Sequence, residues 1–71
     1  MKVYALIGGE NCEGGSCYGV FSTEEKAKEV VTREMALKYP CDYYDIVRTD
    51  IDVPIISWRQ DDCDVTTYRT R

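Results

Sequence analysis

Apolar and polar positions first suggest a strand. From Lys2 to Ile7, the side chains of Val3, Ala5 and Ile7 fall on one face and those of Tyr4 and Leu6 on the other. Both faces are apolar, as in a central strand covered on at least one side. Gly8 to Ser16 carries glycines at 8, 9, 14 and 15 and is expected to be a long loop. Cys17 to Phe21 then reads as a second strand that closes a hairpin. The period changes at Ser22-Thr23-Glu24-Glu25, which has the form of a capping box with Ser22 as N-cap and Glu25 three residues on. A helix is predicted from Thr23 to about Lys38, stopped ahead of Pro40 because a residue before proline disfavours α geometry. Ala27, Val30, Val31, Met35 and Leu37 share its apolar face. Glu24 with Lys28, Glu29 with Arg33 and Glu34 with Lys38 are spaced as helix-stabilising pairs. Glu34 and Lys38 interrupt the apolar stripe, as expected where a last turn overhangs the sheet edge.

Beyond Pro40 the strand period returns. Tyr43 to Val53 reads as strand, with Tyr44 and Ile46 toward the helix and Val47, Thr49, Ile51 and Val53 in the other register; a bulge or two strand pieces would account for the change. Pro54 marks a break or an edge. Ile55 to Gln60 and Val65 to Thr70 are β-prone and flank the polar turn Asp61-Asp62-Cys63-Asp64, so they read as a final hairpin. The expected class is α+β, ordered β-β-α-β-β-β, with one helix packed on a mainly antiparallel sheet.

Seventy-one residues allow one small domain, 1–71, and 44% hydrophobic content is enough to give it a core. The first apolar run is too short for a signal peptide, and nothing reaches the length of a membrane span. The expected compartment is the cytoplasm, the host's if the protein is viral. There Cys12, Cys17, Cys41 and Cys63 are expected as free thiols, with a disulfide such as Cys12–Cys17 or a four-cysteine zinc site as alternatives. No cofactor is expected.

The chain has no histidine, which removes the usual general base and the Cys-His and Ser-His nucleophile pairs. Gly8-Gly9-Glu10-Asn11-Cys12-Glu13-Gly14-Gly15 lacks the Lys and Ser/Thr of a phosphate loop and carries two glutamates that would repel phosphate. The turn at 61–64 lacks the pattern of a calcium loop. A binding protein is therefore expected rather than an enzyme.

Charge points to where binding would occur. Net charge is −4; residues 1–40 carry six acids and five bases, whereas 41–64 carry seven aspartates and two arginines. That balance argues against direct nucleic-acid binding, which needs basic patches. Asp42, Asp45, Asp50, Asp52, Asp61, Asp62 and Asp64 are the candidate partner-binding acids, with Tyr43 and Tyr68 beside them. Aspartate is a poor strand former. These acids either guard a sheet edge and aid solubility or form an acidic recognition face. Six tyrosines and Trp58 suggest either core filling or an aromatic contact surface. Tyr4 and Tyr44 are expected in the core; exposure of Tyr39, Tyr43 and Tyr68 stays open. The expected state is a monomer, although a sheet extended into a dimer is left open.

Met1-Lys2-Val3-Tyr4-Ala5-Leu6-Ile7-Gly8-Gly9, followed by Gly19-Val20-Phe21-Ser22-Thr23-Glu24-Glu25-Lys26-Ala27-Lys28 and by Tyr43-Tyr44-Asp45-Ile46, resembles a group of short phage and bacterial proteins of unknown function. The likeness covers about two-thirds of the chain, and its motifs are structural. In size and acidity the chain is also similar to small anti-CRISPR proteins, of the type acting on type I systems. That similarity implies a protein partner, a nucleic-acid-binding host complex whose DNA site is blocked by mimicry of DNA charge. The alternative is a regulatory or accessory module docking through an aromatic surface or a strand edge.

Overall fold

In the computed structural model, the residues described are 1–12, 14–52 and 64–70. Strand β1 (Lys2–Glu10) forms a hairpin with β2 (Gly14–Phe21); helix α1 (Glu24–Met35) follows, then β3 (Tyr43–Asp50) and β4 (Asp64–Arg69). The strands make one antiparallel sheet in the order β2-β1-β3-β4. This is an α+β fold with four described strands and one helix. The expected strand Ile55–Gln60 lies outside the described residues.

Helix α1 covers one face of the sheet. Leu6, Ala27, Val31, Tyr44 and Ile46 are buried between them, with Tyr4, Phe21, Val30 and Tyr68 packed at the margin. The strand period explains this set: Leu6 pairs with Ile46, Gly8 with Tyr44 and Tyr44 with Tyr68, so all of these residues point to the helix side. Tyr43, Asp45 and Val47 point the other way and are also buried. Strand β3 is thus central and buried on both faces. Its pairing with β1 and β4 is unbroken, so the two apolar registers of Tyr43–Val53 need no bulge there. The strand ends at Asp50; Ile51 and Asp52 turn away, with Asp52 in the left-handed region that Asp tolerates better than most residues. The bulge lies instead in the first hairpin, between Leu6 and Ile7.

Two expectations at the helix are corrected. Thr23, not Ser22, is the N-cap: its backbone is extended and its hydroxyl accepts from the Lys26 amide at 3.3 Å. The helix ends at Met35, short of Lys38. Its last turn tightens as the Ala36 and Leu37 amides donate to the Arg33 and Glu34 carbonyls, three residues back. Lys38 is therefore off the helix, with its ammonium over the Tyr39 ring at 5.5 Å.

The glycine segment is also not the loop expected of it. Gly8, Gly9, Gly14 and Gly15 all lie in strands. A Cβ on Gly8 would stand 3.0 Å from the Tyr44 ring, and one on Gly9 would stand 2.5 Å from the Tyr43 hydroxyl. Gly8 and Gly9 are strand residues whose missing side chains leave room for the aromatic rings of β3.

Candidate functional site

The acidic residues separate into buried and exposed sets. Asp45 is 1% exposed and lies in β3, where its Oδ1 accepts from the Thr67 hydroxyl at 2.7 Å across the β3–β4 pair. Asp42 is buried just before β3; its Oδ2 accepts from the Asn11 amide at 3.1 Å, and its carbonyl accepts from the Thr70 amide. These two carboxylates answer the question of why aspartate occurs in strand context: each satisfies hydrogen-bond donors of a neighbouring segment. Both carboxylates are buried in the described structure. Tyr43 is likewise 3% exposed, with the Arg69 guanidinium 6.0 Å from its ring centre. Tyr68 packs half-buried against the core. Asp50, Asp52 and Asp64 are exposed, while Asp61, Asp62 and Trp58 lie outside the described residues.

The three exposed acids lie near one end of the sheet, where Lys2 pairs with Asp50 and Arg48 with Asp64 in the ladders. Two of them have basic partners. Lys2 Nζ is 3.7 Å from Asp50, and Arg48 Nη1 is 3.1 Å from Asp64. Arg48 reaches further: its Nε donates to Glu24 Oε1 at 2.7 Å and its Nη2 to the Thr66 hydroxyl at 2.7 Å. Glu24 also meets Lys28 at 3.1 Å, the expected helical pair. The Arg48 hydrogen bond, with that of Lys28, holds the Glu24 carboxyl down to about 2. This group ties the first turn of α1 to β3 and β4, a structural task that sequence spacing did not reveal.

The opposite end is built from aromatic rings and thiols. The Tyr18 hydroxyl and Cys41 Sγ are 3.0 Å apart, and the Cys41 amide donates to the Tyr44 hydroxyl at 2.9 Å. Tyr18 meets Tyr44 edge to face, with ring centres 6.2 Å apart. Tyr18 and Cys41 wall an open cleft of about 240 Å³ whose floor is the backbone of Gly8, Gly9, Gly14 and Gly15. The hydrogen bond to Cys41, with partial burial, pushes the Tyr18 phenol up to about 12. At that value the phenol is protonated at neutral pH. Cys12, Cys17 and Cys41 are free thiols, and the described residues contain no cluster of three or more metal-ligating side chains. No described helix is long and apolar enough to cross a membrane.

Beside this end the chain exposes apolar groups. Met35 and Leu37, patterned for the buried face of a longer helix, emerge into solvent where α1 stops, and Tyr39 is 83% exposed. Tyr18 and Val20 are exposed on β2. The missed signal was the early helix end, since the pattern placed Met35 and Leu37 in the core. What this arrangement offers is contact area and hydrogen-bonding groups.

No curated protein and no solved structure matches the chain significantly. A family profile described as a domain of unknown function, DUF7336, matches residues 1–62, which contain the hairpin, the helix, β3 and the Tyr18–Cys41 cleft; the chain belongs to that family.

Proposed function

We propose that the chain is a protein-binding module, without catalytic chemistry, that docks through the apolar and aromatic rim at the C-terminal end of α1. The observation that carries this is the exposure of Met35, Leu37 and Tyr39 within five residues of sequence. Large apolar side chains gathered at a surface mark contact sites, and Tyr adds area at low entropic cost. Tyr18 extends the rim, because its hydroxyl meets Cys41, two residues beyond Tyr39.

A second reading is favoured by the exposure of Asp50, Asp52 and Asp64 near the other end of the sheet. Here the chain is a phage-type anti-CRISPR inhibitor that presents DNA-like charge to a surveillance complex. It ranks second because Lys2 and Arg48 offset two of these charges, and Asp42 and Asp45 are turned inward.

One experiment separates the two. The tagged chain is used to capture partners from a bacterial lysate, and retention of the captured protein is measured against salt for two variants. Leu37→Ala with Tyr39→Ala is expected to abolish retention, and retention by the unaltered chain is expected to survive high salt. Loss of retention in Asp50→Lys, Asp52→Lys, Asp64→Lys, with strong salt dependence, would instead support the charge-mimic reading and reject the apolar rim.

A further inference from the structure

The two outer edges of the described sheet differ in chemistry. Strand β4 is six residues long and carries Asp64 and Arg69 at its ends, charges of the kind that discourage pairing with another strand. Strand β2 is eight residues long, Gly14 to Phe21, and has neither a charged side chain nor a proline. Val20 on it is 61% exposed. In the described sheet β2 has β1 on one side only, so its other row of backbone N–H and C=O groups faces outward. Among the described residues it is guarded by the bulge opposite Leu6 and Ile7, which twists the strand and keeps any junction short.

We infer that two copies of this chain pair antiparallel along β2, joining their sheets across a two-fold axis with both helices on the same face. Three observations favour a second copy as the occupant. The edge is uncharged, so the two-fold sets no like charges against each other. The charge that would oppose association lies elsewhere: residues 1–40, which include the hairpin and helix, carry six acids and five bases, and the described aspartates lie on or beside β3 and β4. Finally, pairing β2 with the charged β4 edge of another copy would give an open ribbon, whereas β2 with β2 closes at two. Tyr18 of β2 adjoins both surfaces, but the dimer does not use Leu37 or Tyr39, so Leu37→Ala with Tyr39→Ala tests the rim without touching the paired edge.

The test is sedimentation equilibrium of the full chain in reducing buffer over a range of concentrations. Twice the chain mass is expected at high concentration and the single chain mass on dilution. Val20→Lys puts a charge on the pairing strand of each copy and removes apolar contact, and is expected to weaken association about tenfold or more. Ile51→Lys, on the exposed turn after β3, leaves association unchanged. Amide hydrogen exchange on the unaltered chain guards against a misfolded variant: protection of β2 amides is expected to rise with concentration, and that of β4 amides to stay constant. A single chain mass at every concentration overturns the inference. So does a dimer indifferent to a folded Val20→Lys variant, growth beyond two copies, or concentration-dependent protection on β4 instead.

Discussion

Toward one end of the β1–β3 ladder, Tyr43 and Tyr44 lie across from Gly9 and Gly8; toward the other, Arg48 sits among Glu24, Asp64 and Thr66. The first end is held by shape. Rings fill the room that glycine leaves, and hydrogen bonds at Cys41 and Asp42 fix the chain that leads into β3. The second end is held by charge, through side chains that water still reaches. Packing tolerates no added atoms but is indifferent to pH and salt, whereas ion pairs tolerate substitution but depend on both. The surface roles follow the same division. Met35, Leu37 and Tyr39 emerge beside the packed end, and the exposed aspartates stand at the charged one together with Met1 and Ile51.

The largest expected effect tests the packed end. Gly9→Val would drive side-chain atoms into the Tyr43 hydroxyl and the Gly14 and Gly15 backbone, and is expected to abolish cooperative thermal unfolding. Gly8→Ala, which meets only the edges of two rings, is expected to cost about 1–3 kcal/mol in urea unfolding. A Gly9→Val chain with an unchanged midpoint would show that this end is not tightly packed.

Asp45 provides an intermediate case, a polar carboxyl group held inside packing. Asp45→Ala leaves the Thr67 hydroxyl without its acceptor and is expected to lower stability by about 1–3 kcal/mol, measured as a shift in urea midpoint at constant slope. The same burial limits charge-reversal experiments. Lysine at Asp42 or Asp45 would unfold the domain, and the resulting loss of binding would say nothing about recognition.

The smallest effect belongs to the charged end and is read against pH. Glu24 titrates at about 2 in the folded chain, below its ordinary 4.5, because Arg48 and then Lys28 hydrogen-bond to the ionised form. A depressed folded value stabilises the fold above the ordinary value, and this contribution is lost as pH falls toward 2. Arg48→Met is expected to flatten that acid limb in melting temperatures recorded from neutral pH downward, with Gly8→Ala shifting the whole curve without changing its shape. Equal flattening in both variants would erase the distinction between the ends.

How far the sequence disclosed this molecule depended on whether neighbours in the chain were also neighbours in space. Helix α1, the Glu24–Lys28 pair and the inward faces of Tyr44 and Ile46 all follow from periodicity, which is local. The early stop at Met35 did not, because apolar spacing continues through Leu37 whether or not a sheet lies beneath it. Glycines at 8 and 9 read as loop because their reason for being in a strand is supplied by Tyr43 and Tyr44, more than thirty residues away. The acids misled in the same way. Asp42 and Asp45 look like surface charge until their donors, Asn11 and Thr67, are brought beside them. Of the recognition face read from charge, only Asp50, Asp52 and Asp64 are exposed among the described residues. The apolar rim was hidden within what looked like core.

The bulge in the first hairpin has one more consequence. Leu6 pairs with Gly19 and Ile7 with Cys17, so Tyr18 is the residue of β2 that has no counterpart on β1. Cys17 and Val20 stand opposite Ile7 and Ala5, on one face of the sheet, although three positions separate them in the chain. The ladder thus keeps its register without Tyr18. Released from the ladder, this position gives its side chain to the Cys41 hydrogen bond and the Tyr44 ring while every other residue of β2 keeps its partner.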